Sequence, residues 1–231
     1  VLTREGVAEL DASIMDGRDR KAGAVAQVRT VKNPIRAARM VMEATGRVMF
    51  AGEAVDEMAA KAGLEIVPPE YFVTQRRQDA LKRAMAGKWE PMDRHGTVGA
   101  VAMDKAGNLA AATSTGGLNA KPPGRVGDSP VIGAGTYAEN ASCAVSATGD
   151  GEHFIRASVA RMICARVAMQ GMSAEQAAKA TLDEVTALGG AGGVIVLGHD
   201  GGVALSMNTE GMFRGRADAS GVRKVGIYAD E

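Results

Sequence analysis

Aromatic residues are scarce, with four Phe, three Tyr and one Trp in 231 positions. Any core must therefore be assembled from Val, Ala, Leu, Ile and the 13 Met. Cysteine is nearly absent. Cys143 and Cys164 are too few for a disulfide framework, and an intracellular, reducing setting, in short a cytoplasmic one, fits best. An excess of either charge is missing as well. Lys plus Arg number 27 and Asp plus Glu number 27, so no basic field argues for nucleic acid or an anionic membrane. No uninterrupted apolar run approaches the roughly 18 to 20 residues that a spanning helix requires, which excludes an integral membrane protein. The opening Val-Leu-Thr-Arg-Glu has no basic and apolar leader of secretory type. His95, His153 and His199 lie far apart, and HxH, HExxH and CxxC patterns do not occur, so no dedicated metal site is expected. A GxxxxGK[ST] phosphate loop and a GxSxG elbow are missing too.

What is present is glycine, 30 of 231 residues against a usual share of about 7%. Many glycines with few aromatics predict tight layers and pockets lined by backbone. Glu9 to Asp16 and Ala22 to Val28 read as strands. Asn33-Pro34 offers an N-cap and a first-turn proline for a helix through about Ala44. Glu53 to Ala62 and Tyr71 to Ala86 read as helices closed by Gly63 and Gly87. Lys88 to His95 has no periodicity and reads as an exposed connector.

Strands resume at Thr97 to Met103 and Leu109 to Thr113, joined by turn residues Asp104 to Asn108. Thr115 to Gly135, rich in glycine and with three prolines, reads as a long irregular loop of the kind that is usually functional. After a strand at Ser142 to Thr148 come helices at about Glu152 to Met169 and Ala174 to Leu188. Ser173 and Gln176 form a capping box for the second. Gly193 to Leu197, Gly202 to Met207 and Val222 to Tyr228 close the chain as strands. Blocks of strands followed by blocks of helices predict an α+β domain, with two packed sheets and helices outside as one solution. Gly133 to Ala138 matches a GxGxx[GA] dinucleotide fingerprint, but the strand predicted after it leaves no helix N-terminus for a pyrophosphate.

The chemistry centres on His95-Gly96-Thr97-Val98-Gly99. Cleavage of the Gly96–Thr97 bond would make Thr97 a new N-terminus, with a hydroxyl nucleophile and an α-amine on one residue. Such an amine has an unperturbed pKa near 7.7–8.0, so it can serve as general base to its own hydroxyl. Gly96 would tolerate the strained φ that exposes its carbonyl to that hydroxyl. If the two strands pair across the Asp104–Asn108 turn, Thr115 comes near Thr97. In Gly124-Arg125-Val126-Gly127-Asp128, a cation and an anion three residues apart suit a zwitterion, Arg125 for its carboxylate and Asp128 for its ammonium; an ordinary loop salt bridge is the plainer alternative. Thr148-Gly149-Asp150-Gly151-Glu152 leads from a strand to a helix start, where free N–H groups could hold an oxyanion.

Together, HGTVGAVAMD, GNLAAATSTGG, GRVGDSP, GAGTYAEN, TGDGE and NTEGM resemble the blocks, in order, of the plant-type asparaginase and isoaspartyl peptidase family of N-terminal-nucleophile hydrolases. The resemblance runs from about Glu9 to the end and implies a four-layer αββα sandwich. It implies a single domain over 1–231 that is processed into 1–96 and 97–231. Thr97 would be the nucleophile freed by cleavage after Gly96, and Thr115 the hydroxyl that assists it. Thr148 and the Gly149 N–H would form the oxyanion hole. Arg125, Asp128 and the Gly151 carbonyl would hold the substrate. The activity implied is hydrolysis of L-asparagine and of β-aspartyl dipeptides, by a dimer of processed protomers that needs no cofactor. A structural sodium site is typical of the family, but its loop precedes the part of the pattern found here. Without those upstream residues, one sheet is expected to show an unprotected edge and an exposed apolar face. The alternatives are a sister amidase of glycosylated asparagine, whose Thr is usually preceded by Asp, and a non-catalytic fragment or amino-acid-binding module.

Overall fold

The computed structural model describes residues 1–88 and 95–228. Most of the predicted connector, residues 89–94, lies outside them. The first half builds a sheet from β1 (Leu10–Asp16), β2 (Ala22–Val28), β3 (Met49–Ala51), β4 (His95–Met103) and β5 (Leu109–Leu118), in the order β3-β2-β1-β5-β4. Only β2 and β3 run parallel. The second half builds an antiparallel sheet of β6 (Thr136–Ala138), β7 (Cys143–Gly149), β8 (Gly192–Gly198) and β9 (Val203–Met207), in chain order. The two sheets pack face to face through β1, β4 and β5 on one side and β6, β7 and β8 on the other.

Period-2 alternation sorts each strand between the two faces of its sheet. On β1, Ala12 and Ile14 pack under α1 (Pro34–Ala44), while Ser13 and Met15 point to the opposite sheet. The helix buries Pro34, Ala37, Ala38 and Val41, spaced as one helical stripe. A methyl at Gly23 of β2 would overlap the Ala38 backbone, so glycine lets α1 settle directly on the strand. The other outer layer comes from α5 (Val159–Gln170) and α6 (Ala174–Ala187), which pack on β6, β7, β8 and β9. The result is the αββα sandwich expected from the sequence. Val98 of the edge strand β4 is 70% exposed.

Several elements differ from expectation for physical reasons. The helix predicted from Glu152 to Met169 is broken at Ser158 (φ 48°) into α4 (Gly151–Ala157) and α5. The first amides of α5 explain the break. Ala160 and Arg161 donate to the carbonyls of Ala134 and Gly133 instead of to their own helix. The predicted Tyr71–Ala86 helix resolves into a 3₁₀ turn (Pro69–Phe72) and α3 (Gln75–Met85), capped by the Thr74 hydroxyl. Asn33 makes no side-chain cap, whereas the Ser173–Gln176 capping box forms as predicted. β5 runs on to Leu118, which shortens the irregular loop, and β10 (Gly211–Ala217), unforeseen from its pattern, pairs with β11 (Arg223–Tyr228). Helix α2 (Glu53–Lys61) falls where expected. The two cysteines do not stay apart. Cys143 on β7 and Cys164 on α5 form a disulfide with Cα atoms 5.2 Å apart, because the helix lies directly on that strand. The expectation of a chain without disulfides in a reducing setting is corrected to that extent.

Candidate active site

Three cross-strand partners place hydroxyl and carboxyl groups in one row across the first sheet. Asp11 on β1 stands opposite Thr115 on β5, and Thr115 opposite Thr97 on β4. The Thr97 and Thr115 hydroxyl oxygens are 2.9 Å apart, and the Thr115 oxygen also accepts the Gly117 N–H at 2.8 Å. The hairpin prediction that brought these threonines together holds. The register between β4 and β5 shifts between His95 and Thr97, so an irregularity sits at the Gly96–Thr97 bond itself. The strain expected at Gly96 is found across the strand instead. Gly96 is not among the positive-φ residues, whereas Gly117 has φ 83° and takes up the extra length of β5.

The loop after β5 delivers the charged groups. A Cβ added at Gly151 would lie 2.9 Å from Arg125 Nη2, 2.9 Å from Asp128 Oδ1 and 3.0 Å from the Asp128 nitrogen. The first turn of α4 therefore sits directly against both, and a side chain there would have to displace the two charged groups. A Cβ at Gly117 would be 3.4 Å from Arg125 Nη1, which ties the same arginine to the Thr115 end of β5. Arg125 and Asp128 do not pair with each other. Arg125 gives its Nε and Nη2 to Glu152 at 2.9 and 2.8 Å. The plain salt bridge thus exists, but with Glu152, and it occupies one edge of the guanidinium. The edge bearing Nη1 remains for a second carboxylate, in the bidentate geometry Arg favours. Asp128 is 5% exposed, and its Oδ2 has no hydrogen-bond partner. Burial pushes its carboxyl up to about 7, although Arg125 nearby pulls the other way.

Thr148 and Gly149 end β7 at the same end of the sandwich, two residues before the Gly151 contact. Gly149 has φ 151°, and a Cβ there would lie 2.5 Å from the Ala191 carbonyl oxygen and 2.7 Å from Gly192 Cα. Glycine is required for β8 to approach so closely.

Sequence reasoning missed the ions beneath this site. Lys121, with a fully buried side chain, donates to the Glu9 carbonyl at 2.8 Å and lies 4.0 Å from Asp11 Oδ2. The Asp11 Oδ1 accepts the Gln27 N–H at 2.9 Å. Glu9 itself accepts from Arg29 and from the Gly124 N–H, at 2.7 and 3.0 Å. Burial raises the Asp11 carboxyl and lowers the Lys121 ammonium, each pulled back by its partner. The signal was present in ELDASIMD, where Glu9, Asp11 and Ser13 occupy the alternation that buries Met15. Among the described residues, no cluster of three His, Cys, Asp or Glu side chains could hold a metal ion, and no helix is long and apolar enough to cross a membrane.

A family model described as Asparaginase matches residues 1–227. The chain is 49% identical to the isoaspartyl peptidase of Escherichia coli strain K12, over all of this chain and 75% of that protein. It is 48% identical to the isoaspartyl peptidase of Salmonella typhimurium, over all of this chain and 77% of that one. With the isoaspartyl peptidase/L-asparaginase of Rattus norvegicus it shares 45% identity, over 87% of this chain and 62% of the relative.

Proposed function

The chain belongs to the Asparaginase family, and from that premise we propose that it hydrolyses L-asparagine and β-aspartyl dipeptides with Thr97 as nucleophile. The observation that carries the reading is the Thr97–Thr115 hydroxyl pair at 2.9 Å, placed at the strand irregularity next to the Gly96–Thr97 bond. Attack of the Thr97 hydroxyl on the Gly96 carbonyl, followed by hydrolysis, separates 1–96 from 97–231 and frees the Thr97 α-amine. That amine takes the proton of its own hydroxyl, with Thr115 as the hydrogen-bonded neighbour that steadies it.

Arg125 receives the substrate α-carboxylate on its open edge, and Asp128 with the Gly151 carbonyl receives the α-ammonium. The side-chain carbonyl then faces Thr97. The oxyanion formed on attack is stabilised by Thr148 and the Gly149 N–H. Ammonia or an amine leaves with the proton held by the Thr97 amine. Water, deprotonated by the same amine, hydrolyses the β-aspartyl ester. The support for this division of roles is chemical: one buried carboxylate and one half-open guanidinium converge on Gly151, the pair a zwitterion requires. The Gly before Thr97 disfavours the glycosylated-asparagine reading, and the family match disfavours the binding-module reading.

The working particle in this reading is a dimer of processed protomers in the cytoplasm. Because both cysteines are buried, the test is to lyse cells directly into denaturant with an alkylating reagent and weigh the protein: two modified cysteines are expected for a cytoplasmic location, and a retained Cys143–Cys164 bridge overturns it. The central test is intact mass and N-terminal sequencing of active protein. Two polypeptides are expected, one beginning Thr-Val-Gly-Ala-Val. Thr97→Ala should be uncut and inactive. An active, uncut preparation overturns the assignment.

A further inference from the structure

Directly beneath the site the two sheets meet through hydroxyl groups where hydrocarbon would be expected. Ser13 on β1, Thr113 on β5, Thr136 on β6 and Ser146 on β7 are all buried, at 4% exposure or less. Three of them stand two residues from a site group on the same strand: Ser13 from Asp11, Thr113 from Thr115, Ser146 from Thr148. With a strand period of 2, each therefore shares a face with that group and forms the layer below it. The fourth strand, β4, contributes Gly99, two residues from Thr97. A methyl there would overlap the Ser146 oxygen, so glycine makes room for the layer.

The contacts are short. Ser13 Oγ lies 2.6 Å from the Ser129 carbonyl oxygen and 2.7 Å from Thr136 Oγ1. Thr136 Oγ1 lies 2.6 Å from Thr113 Oγ1, which lies 2.6 Å from Ser146 Oγ. Each hydroxyl owns one proton, and two backbone carbonyls that can only accept bound the group: Ser129, near Ser13 and also 3.3 Å from Thr136 Oγ1, and Gly135, near Thr113. The four hydroxyls therefore share their protons along one connected chain, which ends at Ser129, the residue next to Asp128. A second link runs to the same turn. The Gly135 carbonyl lies 3.1 Å from Thr113 Oγ1, and the Gly135 N–H donates to the Asp128 carbonyl at 3.1 Å.

A hydrocarbon layer would pack the two sheets without the desolvation cost of four hydroxyls. A fully connected polar chain instead permits one relative placement of its members, because any other leaves a buried group unpaired. We propose that the Ser146–Thr113–Thr136–Ser13 chain is a positioning device that sets the Asp128 turn against the strands carrying Thr97, Thr115 and Thr148, with Thr136 as its central positioning residue. The inference rests on the reading of Asp128 as the partner of the substrate α-ammonium.

The experiment compares L-asparagine with succinamic acid, which keeps the amide and the carboxylate but lacks the amino group. The readout is the ratio of their kcat/KM values. Thr136→Val should cut that ratio at least tenfold, through a higher KM for L-asparagine, with the succinamic acid parameters within twofold of wild type. Thr136→Ser, which restores the hydroxyl, should keep the wild-type ratio. Ser13→Ala, which removes the bond to the Ser129 carbonyl and adds no bulk, should lower the ratio as Thr136→Val does, and it serves if the valine variant does not fold. Wild-type ratios in both Thr136→Val and Ser13→Ala, with only a lower melting temperature, overturn the proposal. Asp128→Asn in the same assay separates the two levels. If it abolishes the discrimination while the chain variants do not, the positioning role alone is wrong. If it leaves discrimination intact, the reading of Asp128 falls and the inference falls with it.

Discussion

Replacing Asp128 by Asn should stabilise the unliganded protein while damaging its activity. The carboxyl is buried, its Oδ2 lacks a partner, and its pKa is pushed up to about 7 from an ordinary 3.8. A shift of about three units corresponds to roughly 4 kcal/mol of cost for the charged form. The sign follows from proton binding. The folded state holds this proton more tightly than the unfolded chain, so the contribution to stability falls as pH rises from about 4 to about 7, and is level above that. Asparagine removes the charge but leaves a buried amide with imperfect partners, which costs about 1–3 kcal/mol. A net gain of about 1–3 kcal/mol at pH 8 remains, or roughly 2–12 °C in melting temperature for a chain of this size. The assay is thermal unfolding of wild type and Asp128→Asn across pH 5 to 8, without substrate. The difference between them should open through that window and favour the variant at the alkaline end. A variant that is less stable than wild type at pH 8, or whose advantage does not change with pH, would refute the account of Asp128 as a desolvated anion awaiting a cation.

Three further outcomes follow from other parts of the structure. Arg125→Ala should weaken binding of substrates with a free α-carboxylate by about 1.5–3 kcal/mol, read as a rise in KM, while amides lacking that group should be indifferent to the change. Lys121→Met leaves the Asp11 carboxylate buried without its cation and should destabilise by about 3–5 kcal/mol in urea unfolding, with partial recovery when Asp11→Asn is added; simple additivity of the two would disprove the pairing. Reduction of Cys143–Cys164, which closes a loop over a sequence separation of 21, should lower stability by about 3 kcal/mol, and an unchanged melt in reductant would show that the bridge contributes nothing.

The sequence alone determined what local rules control. Alternation in ELDASIMD, the small-residue run AGAVAQV, proline and glycine at helix ends, and the Ser173–Gln176 box located most strands and helices to within a residue or two. The turn chemistry of Asp104–Asn108 was enough to pair the threonine strands, because a hairpin register depends on the turn itself. Residue types also named Thr97 with Thr115, and Arg125 with Asp128 as a cation and an anion for a zwitterion, whereas joining them with Gly151 into one site came from the family resemblance. Tertiary structure decided everything that depends on which distant groups share a space. Arg125 chose Glu152 over Asp128 because α4 brings Glu152 to its guanidinium edge. The helix broke at Ser158 because a remote loop offered its carbonyls to the first amides of α5. Lys121 met Asp11, Cys143 met Cys164, and four hydroxyls on four strands became one chain only after the sheets packed face to face. No local pattern encodes such meetings, because burial and dielectric belong to the assembled layers rather than to any one segment.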